Sequence, residues 1–133
     1  MASIRKEFPL NVSADRIWDA LRDFGAVHTR LAPGFVIDAK LDGESRIVTF
    51  ANGLVARELL VDCDDERRRL VYAVISERVS QHSASIQIVA DGETRCRMIW
   101  ITDLLPHTIA PYVSSQMDLG AAAVQKSQGQ IHA

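Results

Sequence analysis

The chain has 133 residues, 47% of them hydrophobic, which is enough to form the core of one domain without metals or disulfides. Its formal net charge is -2, so neither nucleic acid nor an anionic membrane surface is an expected partner. The two cysteines, Cys63 and Cys96, match no metal or redox spacing and are expected to be reduced thiols. We expect one domain over residues 1–133.

The sequence carries no signal for a membrane or for export. No apolar run approaches the roughly 18 residues of a membrane span. The chain does not open with a basic segment followed by an apolar stretch, as a secretory signal would. We therefore expect a cytoplasmic protein with no integral membrane association.

The first 34 residues predict one strand and two short helices. Residues 4–10 alternate in the manner of a strand. Ser13 stands at an N-cap position ahead of a helix over residues 14–22, whose apolar side chains fall on one face. A second short helical segment around residues 27–31 ends at Pro33-Gly34.

In the middle of the chain, apolar and polar residues alternate with a period of two. Closely spaced turn signals such as Asp42-Gly43, Asn52-Gly53 and Asp91-Gly92 leave no room for crossover helices, so the strands are predicted to form antiparallel hairpins. We predict strands at about residues 35–41, 45–51, 54–63, 68–77, 79–90 and 94–104.

The segment after Pro106 returns to a helical period. One stripe is formed by Ile109, Val113, Met117, Gly120 and Val124. The small residues at 120–123 permit close approach of a sheet. The order of elements predicts an α+β fold in which this long helix covers one face of the sheet.

The same order, with several local segments, resembles the START-like or Bet v allergen-like (SRPBCC) superfamily. The local sequence is similar to its bacterial polyketide cyclase/dehydrase and lipid-transport branch. The segments that carry the likeness are 9–18 (PLNVSADRIW), 31–34 (LAPG), 45–48 (SRIV), 58–66, 70–72 and 100–106. This resemblance implies a helix-grip fold, in which a curved antiparallel sheet of about seven strands wraps the C-terminal helix and encloses a pocket for a small, largely apolar ligand.

The resemblance extends to the plant abscisic acid receptors of the same fold. There the segment around Asn52-Gly53-Leu54 corresponds to a gate loop, and Glu58 corresponds to a glutamate facing the cavity. His82 stands where the bacterial branch usually has a tyrosine, and the loop before it is shorter than the receptors' latch. These differences argue against hormone-type gating. The superfamily includes carriers, receptors and enzymes, so the fold does not decide the function.

Strand alternation, phased by the resemblance, predicts which side chains face the pocket. Trp18 is expected near the entrance. Taken singly, each apolar member is better explained as ordinary core. A dry core, however, would bury several ionisable groups on one face at high cost, which favours a wet cavity. The predicted ligand-binding residues are Phe24, His28, Arg46, Val48, Phe50, Leu54, Glu58, Tyr72, Val74, His82, Ala84, Met98, Trp100, Val113, Gln116 and Met117.

The polar residues of this set support two specific hypotheses. Arg46 and Glu58 are predicted to form an ion pair inside the pocket that anchors a carboxylate, hydroxyl or carbonyl of the ligand. The alternative is an exposed cross-strand pair, because a shift of one residue would turn both side chains outward. His82, with Tyr72 and Glu58, is the candidate catalytic group, the alternative being a structural histidine.

The favoured function is binding of a lipid, polyketide, isoprenoid or aromatic metabolite by a monomer or homodimer. The alternatives are a cyclase/dehydratase-like enzyme acting on a carbonyl substrate, or a partner-protein module of the coenzyme Q-linked or ribosome-associated type. No metal or nucleotide cofactor is expected, because zinc-ligand and phosphate-loop spacings do not occur. His107 and His132 are predicted to be peripheral.

Overall fold

The computed structural model describes residues 2–129 of the chain. They form a seven-stranded antiparallel sheet in the order β1-β7-β6-β5-β4-β3-β2. The strands are β1 (Ala2–Leu10), β2 (Val36–Asp42), β3 (Ser45–Phe50), β4 (Val55–Asp64), β5 (Arg69–Ile75), β6 (Gln81–Ala90) and β7 (Cys96–Leu105). The predicted α+β fold is confirmed. The prediction for His132 lies outside the described residues.

The helical segments are placed as the sequence predicts. Helix α1 (Ala14–Arg22) begins at Ser13, whose side chain accepts a hydrogen bond from the Arg16 N–H at 3.3 Å. A 3₁₀ turn (Phe24–Ala26) and a π-helical turn (Val27–Leu31) follow, and helix α2 (Ala110–Val124) comes after β7. Among residues 2–129, no helix is both long and apolar enough to cross a bilayer.

Helix α2 lies in the concave face of the curved sheet. Gly120 makes the close approach possible, since a β-carbon there would stand 3.1 Å from ring atoms of both Phe35 and Trp100. Met117 and Val124 on the same side are buried. The slim middle of the helix therefore brings it onto the aromatic side chains of the sheet.

The end of α2 is fastened to the turn that follows α1. Residues Gln125–Gly129 continue α2 as a π-helical turn. There the Ser127 hydroxyl donates to the Leu31 carbonyl at 3.2 Å, and the Gln128 amide donates to the Arg30 carbonyl. These contacts close one end of the space between sheet and helix.

The turn between β5 and β6 is wider than predicted. The sequence placed it at Glu77-Arg78, whereas the strands end at Ile75 and resume at Gln81. Ser76 closes the turn, because its carbonyl accepts from the Val79 N–H and its hydroxyl accepts from the Arg78 N–H. Side chains that strand alternation assigned to the sheet therefore belong to this turn. They can face the other end of the space between the sheet and α2.

Candidate ligand cavity

A cavity of about 720 Å³ lies between the concave face of the sheet and α2. Most of the residues predicted to face a pocket line it. They are Arg46, Val48, Phe50, Leu54, Glu58, Tyr72, Val74, His82, Met98, Trp100, Val113, Gln116 and Met117.

Four predicted positions lie outside the lining, and each is a correction. The Phe24 ring stacks on the Arg46 guanidinium at 3.9 Å and so lies behind it. Ala84 lies opposite Tyr72 in the sheet, but the residue is only 2% exposed and does not line the cavity. His28 lies in the π-helical turn, where its Nδ1 is buried. The Trp18 indole, predicted near the entrance, instead donates to Asp65 at 2.9 Å.

At the mouth of the cavity, the sequence predicted Leu54 and missed the other residues. We define the mouth as the exposed lining residues Leu54, Val55, Arg78 and Tyr112. Arg78 comes from the widened β5–β6 turn and Tyr112 from the first turn of α2. The Asn52 amide donates to the Tyr112 hydroxyl at 3.2 Å, linking the β3–β4 turn to α2. The Asn-Gly signal at that turn was the available clue.

The opposite end of the cavity holds a buried ion pair. The side chains of Arg46 and Glu58 are 7% and 8% exposed. Arg46 Nε and Nη2 each lie 2.7 Å from Glu58 Oε1. The predicted pair is therefore present and buried, and the exposed alternative is wrong.

The β3–β4 turn fixes the register that makes this pair. Gly53 adopts a φ of +89°, and the Asn52 side chain accepts from the Leu54 N–H at 3.0 Å. Arg46 then stands directly opposite Glu58. A slip of one residue in this pairing would put the two charges on opposite faces of the sheet.

Two aromatic rings and a carbonyl complete the surroundings of Arg46. The guanidinium carbon is 3.9 Å from the Phe24 ring centroid and 5.5 Å from that of Tyr72. Arg46 Nη1 donates to the Phe24 carbonyl at 3.1 Å. The cation is thus held by a carboxylate, a carbonyl and two π faces, and its charge is balanced within the protein.

The Tyr72 hydroxyl is kept protonated by its surroundings. Burial raises the pKa of Tyr72, and the nearby charge of Glu58 raises it further, against smaller lowering effects of Arg46 and of the Trp100 indole. Although the indole N–H affects the pKa of this phenol, it does not reach hydrogen-bond geometry with any acceptor among residues 2–129. The Trp100 indole and the Tyr72 hydroxyl are therefore neighbours without a hydrogen bond between them, because hydrogen bonds are directional.

His82 lies on β6 and lines the cavity. Burial lowers its pKa below the ordinary value of 6.5, since a low-dielectric surrounding disfavours the imidazolium. The neutral ring can both donate and accept a hydrogen bond. Within residues 2–129, no group of three histidine, cysteine, aspartate or glutamate side chains is placed to hold a metal ion.

Comparison with known proteins places this geometry in a family. A family model described as polyketide cyclase / dehydrase and lipid transport matches residues 1–129. The chain belongs to this family. Membership supports a ligand-binding or cyclase role and names no ligand. No curated protein matches the chain.

Solved structures share the helix-grip fold of the START-like superfamily. XoxI from Bacillus cereus gives a TM-score of 0.84 at 18% identity, over 95% of this chain and 94% of its own. A START superfamily protein from Mycobacterium smegmatis gives 0.78 at 12% identity, over 93% and 94%. Norcoclaurine synthase from Thalictrum flavum gives 0.68 at 21% identity, over 94% and 84%. At these identities the likeness concerns the fold alone.

The buried pair generates a stability prediction. Replacing Arg46 with Met leaves the Glu58 carboxylate buried without its counter-charge, and should lower the free energy of unfolding by about 3–5 kcal/mol in urea titrations. The double variant R46M/E58L should recover most of this loss. Arg57→Met is the matched control, since Arg57 pairs with Asp42 where the two side chains are 40% and 60% exposed, and should lose less than about 1 kcal/mol. Equal losses in R46M and R57M would contradict a buried pair.

The lowered pKa of His82 generates a pH prediction. As the pH falls through 6.5, the unfolded chain takes up a proton at this histidine while the folded chain does not. The free energy of unfolding should therefore fall between about pH 7 and pH 5, and His82→Gln should reduce that fall. His107→Gln, the same change at an exposed histidine, is the control. A pH dependence unaltered by H82Q would refute the assignment.

Proposed function

We propose that the chain binds one small hydrophobic or amphipathic molecule in the cavity between the sheet and α2. The observation that carries the proposal is a hollow of about 720 Å³ with mainly apolar walls and a few convergent polar groups. Small-molecule sites typically have this composition and a volume of roughly 300–1,000 Å³. The ligand class is a lipid, polyketide, isoprenoid or aromatic metabolite, held by a monomer or homodimer in the cytoplasm.

The arrangement of polar groups supports the amphipathic part of the proposal. The ion pair and Tyr72 lie at one end of the cavity, which we call the floor, and Arg78 lies at the mouth. Between them the walls are formed by side chains such as Val48, Val74 and Met98. A molecule with a polar group at one end and an apolar body fits this distribution of surface.

Exposed apolar side chains beside the β3–β4 turn could support the alternative function, which is binding of a partner protein. Val55 is 62% exposed and Tyr112 is 49% exposed. Both also line the cavity, so ligand passage gives them a role without a second protein. The binding function therefore remains the better supported proposal.

A cyclase-like activity is the second candidate, because the three candidate catalytic groups His82, Tyr72 and Glu58 line the same cavity. A neutral imidazole and a protonated phenol beside a carboxylate can exchange protons with a carbonyl substrate. The norcoclaurine synthase neighbour is described in complex with dopamine and hydroxybenzaldehyde. Small carbonyl compounds are therefore the substrates to try first.

Blocking the cavity tests the binding function. Val74→Trp places an indole in the cavity and should weaken binding of the neutral dye N-phenyl-1-naphthylamine by about tenfold or more, measured by dye fluorescence. Ile75→Trp adds the same side chain at the next position of β5, which points the other way and is 54% exposed, and should leave the affinity unchanged. Equal effects of V74W and I75W, or no dye binding by the wild type, would argue against the cavity. Native mass spectrometry of freshly purified protein would identify any molecule that stays bound.

Replacing His82 tests the enzymatic candidate. His82→Phe keeps an aromatic ring but removes both nitrogen atoms, so it should retain ligand and abolish conversion of a carbonyl substrate if the imidazole moves protons. The measurement is mass spectrometry of the substrate after incubation with each protein. Conversion at the wild-type rate by H82F would remove His82 from the mechanism.

A further inference from the structure

We infer that the ligand presents a hydroxyl group to the floor of the cavity, donating a hydrogen bond to Glu58 Oε2 and accepting one from the Tyr72 hydroxyl. This inference rests on the proposed binding function and narrows its ligand class. The sequence left a carboxylate, a hydroxyl and a carbonyl open as the anchored group. The contacts of the two side chains decide among them.

The first contact concerns the two oxygens of Glu58. Both Arg46 nitrogens that contact the carboxylate reach Oε1, each at 2.7 Å. Among residues 2–129, no side chain or backbone donor hydrogen-bonds to Oε2. Oε2 is accessible from the cavity. A ligand that displaces water there and offers no donor leaves this oxygen unpaired, at a cost of about 1–3 kcal/mol or more. Since Glu58 lines the cavity, the donor that Oε2 requires is one that enters the cavity.

The second contact concerns the Tyr72 hydroxyl. It stays protonated, because burial raises the pKa of Tyr72. The neighbouring Trp100 N–H has no hydrogen-bond partner among the described residues, so it does not donate to the phenol oxygen. Glu58 and Tyr72 lie on adjacent strands, with Glu58 opposite Val74 and Tyr72 opposite Leu60. Such diagonal neighbours stand about 7–8 Å apart in the sheet, so their long side chains reach the same part of the floor. The floor therefore offers one acceptor and one donor close together.

The charges at the floor exclude the other ligand groups. A carboxylate ligand would find the Arg46 charge already balanced by Glu58 and would face the unpaired Oε2. A protonated amine would lie near the Arg46 cation, which is 2.7 Å from the same carboxylate. A carbonyl can accept from Tyr72 but cannot supply the proton that Oε2 requires. An uncharged hydroxyl satisfies both partners.

Three probes of nearly the same shape test this recognition. Their affinities are measured at neutral pH by displacement of N-phenyl-1-naphthylamine. We expect 2-naphthol to bind about tenfold more tightly than 2-methoxynaphthalene, which accepts a hydrogen bond but cannot donate one. The anion 2-naphthoate should bind more weakly than both. The methoxy compound is the more apolar of the two neutral probes, so hydrophobicity alone would give the opposite order.

Variants assign the preference to named groups. Glu58→Gln keeps an oxygen for Arg46 but removes the negative charge, so the unpaired guanidinium should make 2-naphthoate the tightest of the three probes. Glu66→Gln, the same change in the exposed β4–β5 turn, is the control and should keep the wild-type order. Tyr72→Phe should reduce the advantage of 2-naphthol severalfold. If the floor variants do not fold, the wild-type order of the three probes decides by itself.

The outcomes separate this inference from the proposed function. Equal binding of 2-naphthol and 2-methoxynaphthalene, or preferred binding of 2-naphthoate, by the wild type would overturn the hydroxyl assignment and leave the cavity as a binding site. Failure of the dye and of all three naphthalenes to bind would overturn the binding function itself.

Discussion

Two opposite charges, Arg46 and Glu58, lie side by side on the concave face of the sheet, where their side chains are only 7% and 8% exposed. Removing such a pair from water is expensive, and its mutual attraction offsets that cost only where the geometry is good and further hydrogen bonds are made. The β3–β4 register and the Phe24 carbonyl supply both conditions. The turn after α1 is thereby joined to the sheet at the point where the cavity ends.

The cavity follows from how the rest of the fold is held around this pair. The last turn of the C-terminal helix is tied to residues 27–31, and Gly120 lets the middle of that helix rest on Phe35 and Trp100. Toward the mouth, the widened β5–β6 turn and the first turn of α2 do not close over the sheet. The hollow is thus closed at the charged end and open at the other, which orients an amphipathic molecule within it.

Membership in the polyketide cyclase / dehydrase and lipid transport family does not choose between carriage and catalysis, because both occur on one scaffold. The chemistry of the floor narrows the choice of ligand instead. Arg46 is satisfied by the protein, whereas Glu58 Oε2 and the Tyr72 hydroxyl have no partners among the described residues. A site with a free acceptor and a free donor discriminates between ligands mainly by their hydrogen-bonding pattern, because a mismatched ligand leaves buried polar groups unpaired.

The sequence by itself determined the order of the elements and which side chains share a face of each strand, because periods of 2 and 3.6 residues and turn chemistry are local properties. The resemblance to a known family supplied the choice of the inward face, and the tertiary structure decided that Arg46 and Glu58 pair on it. The sequence did not determine how deep each inward side chain lies. Phe24 and Ala84 proved to be covered by neighbours. At the mouth, Arg78 comes from a turn that carries no period, and Tyr112 lies in the first turn of α2 beside the predicted apolar stripe. Only the tertiary structure decided how deep these side chains lie, since depth depends on the volumes of side chains distant in sequence and on where the last helix packs.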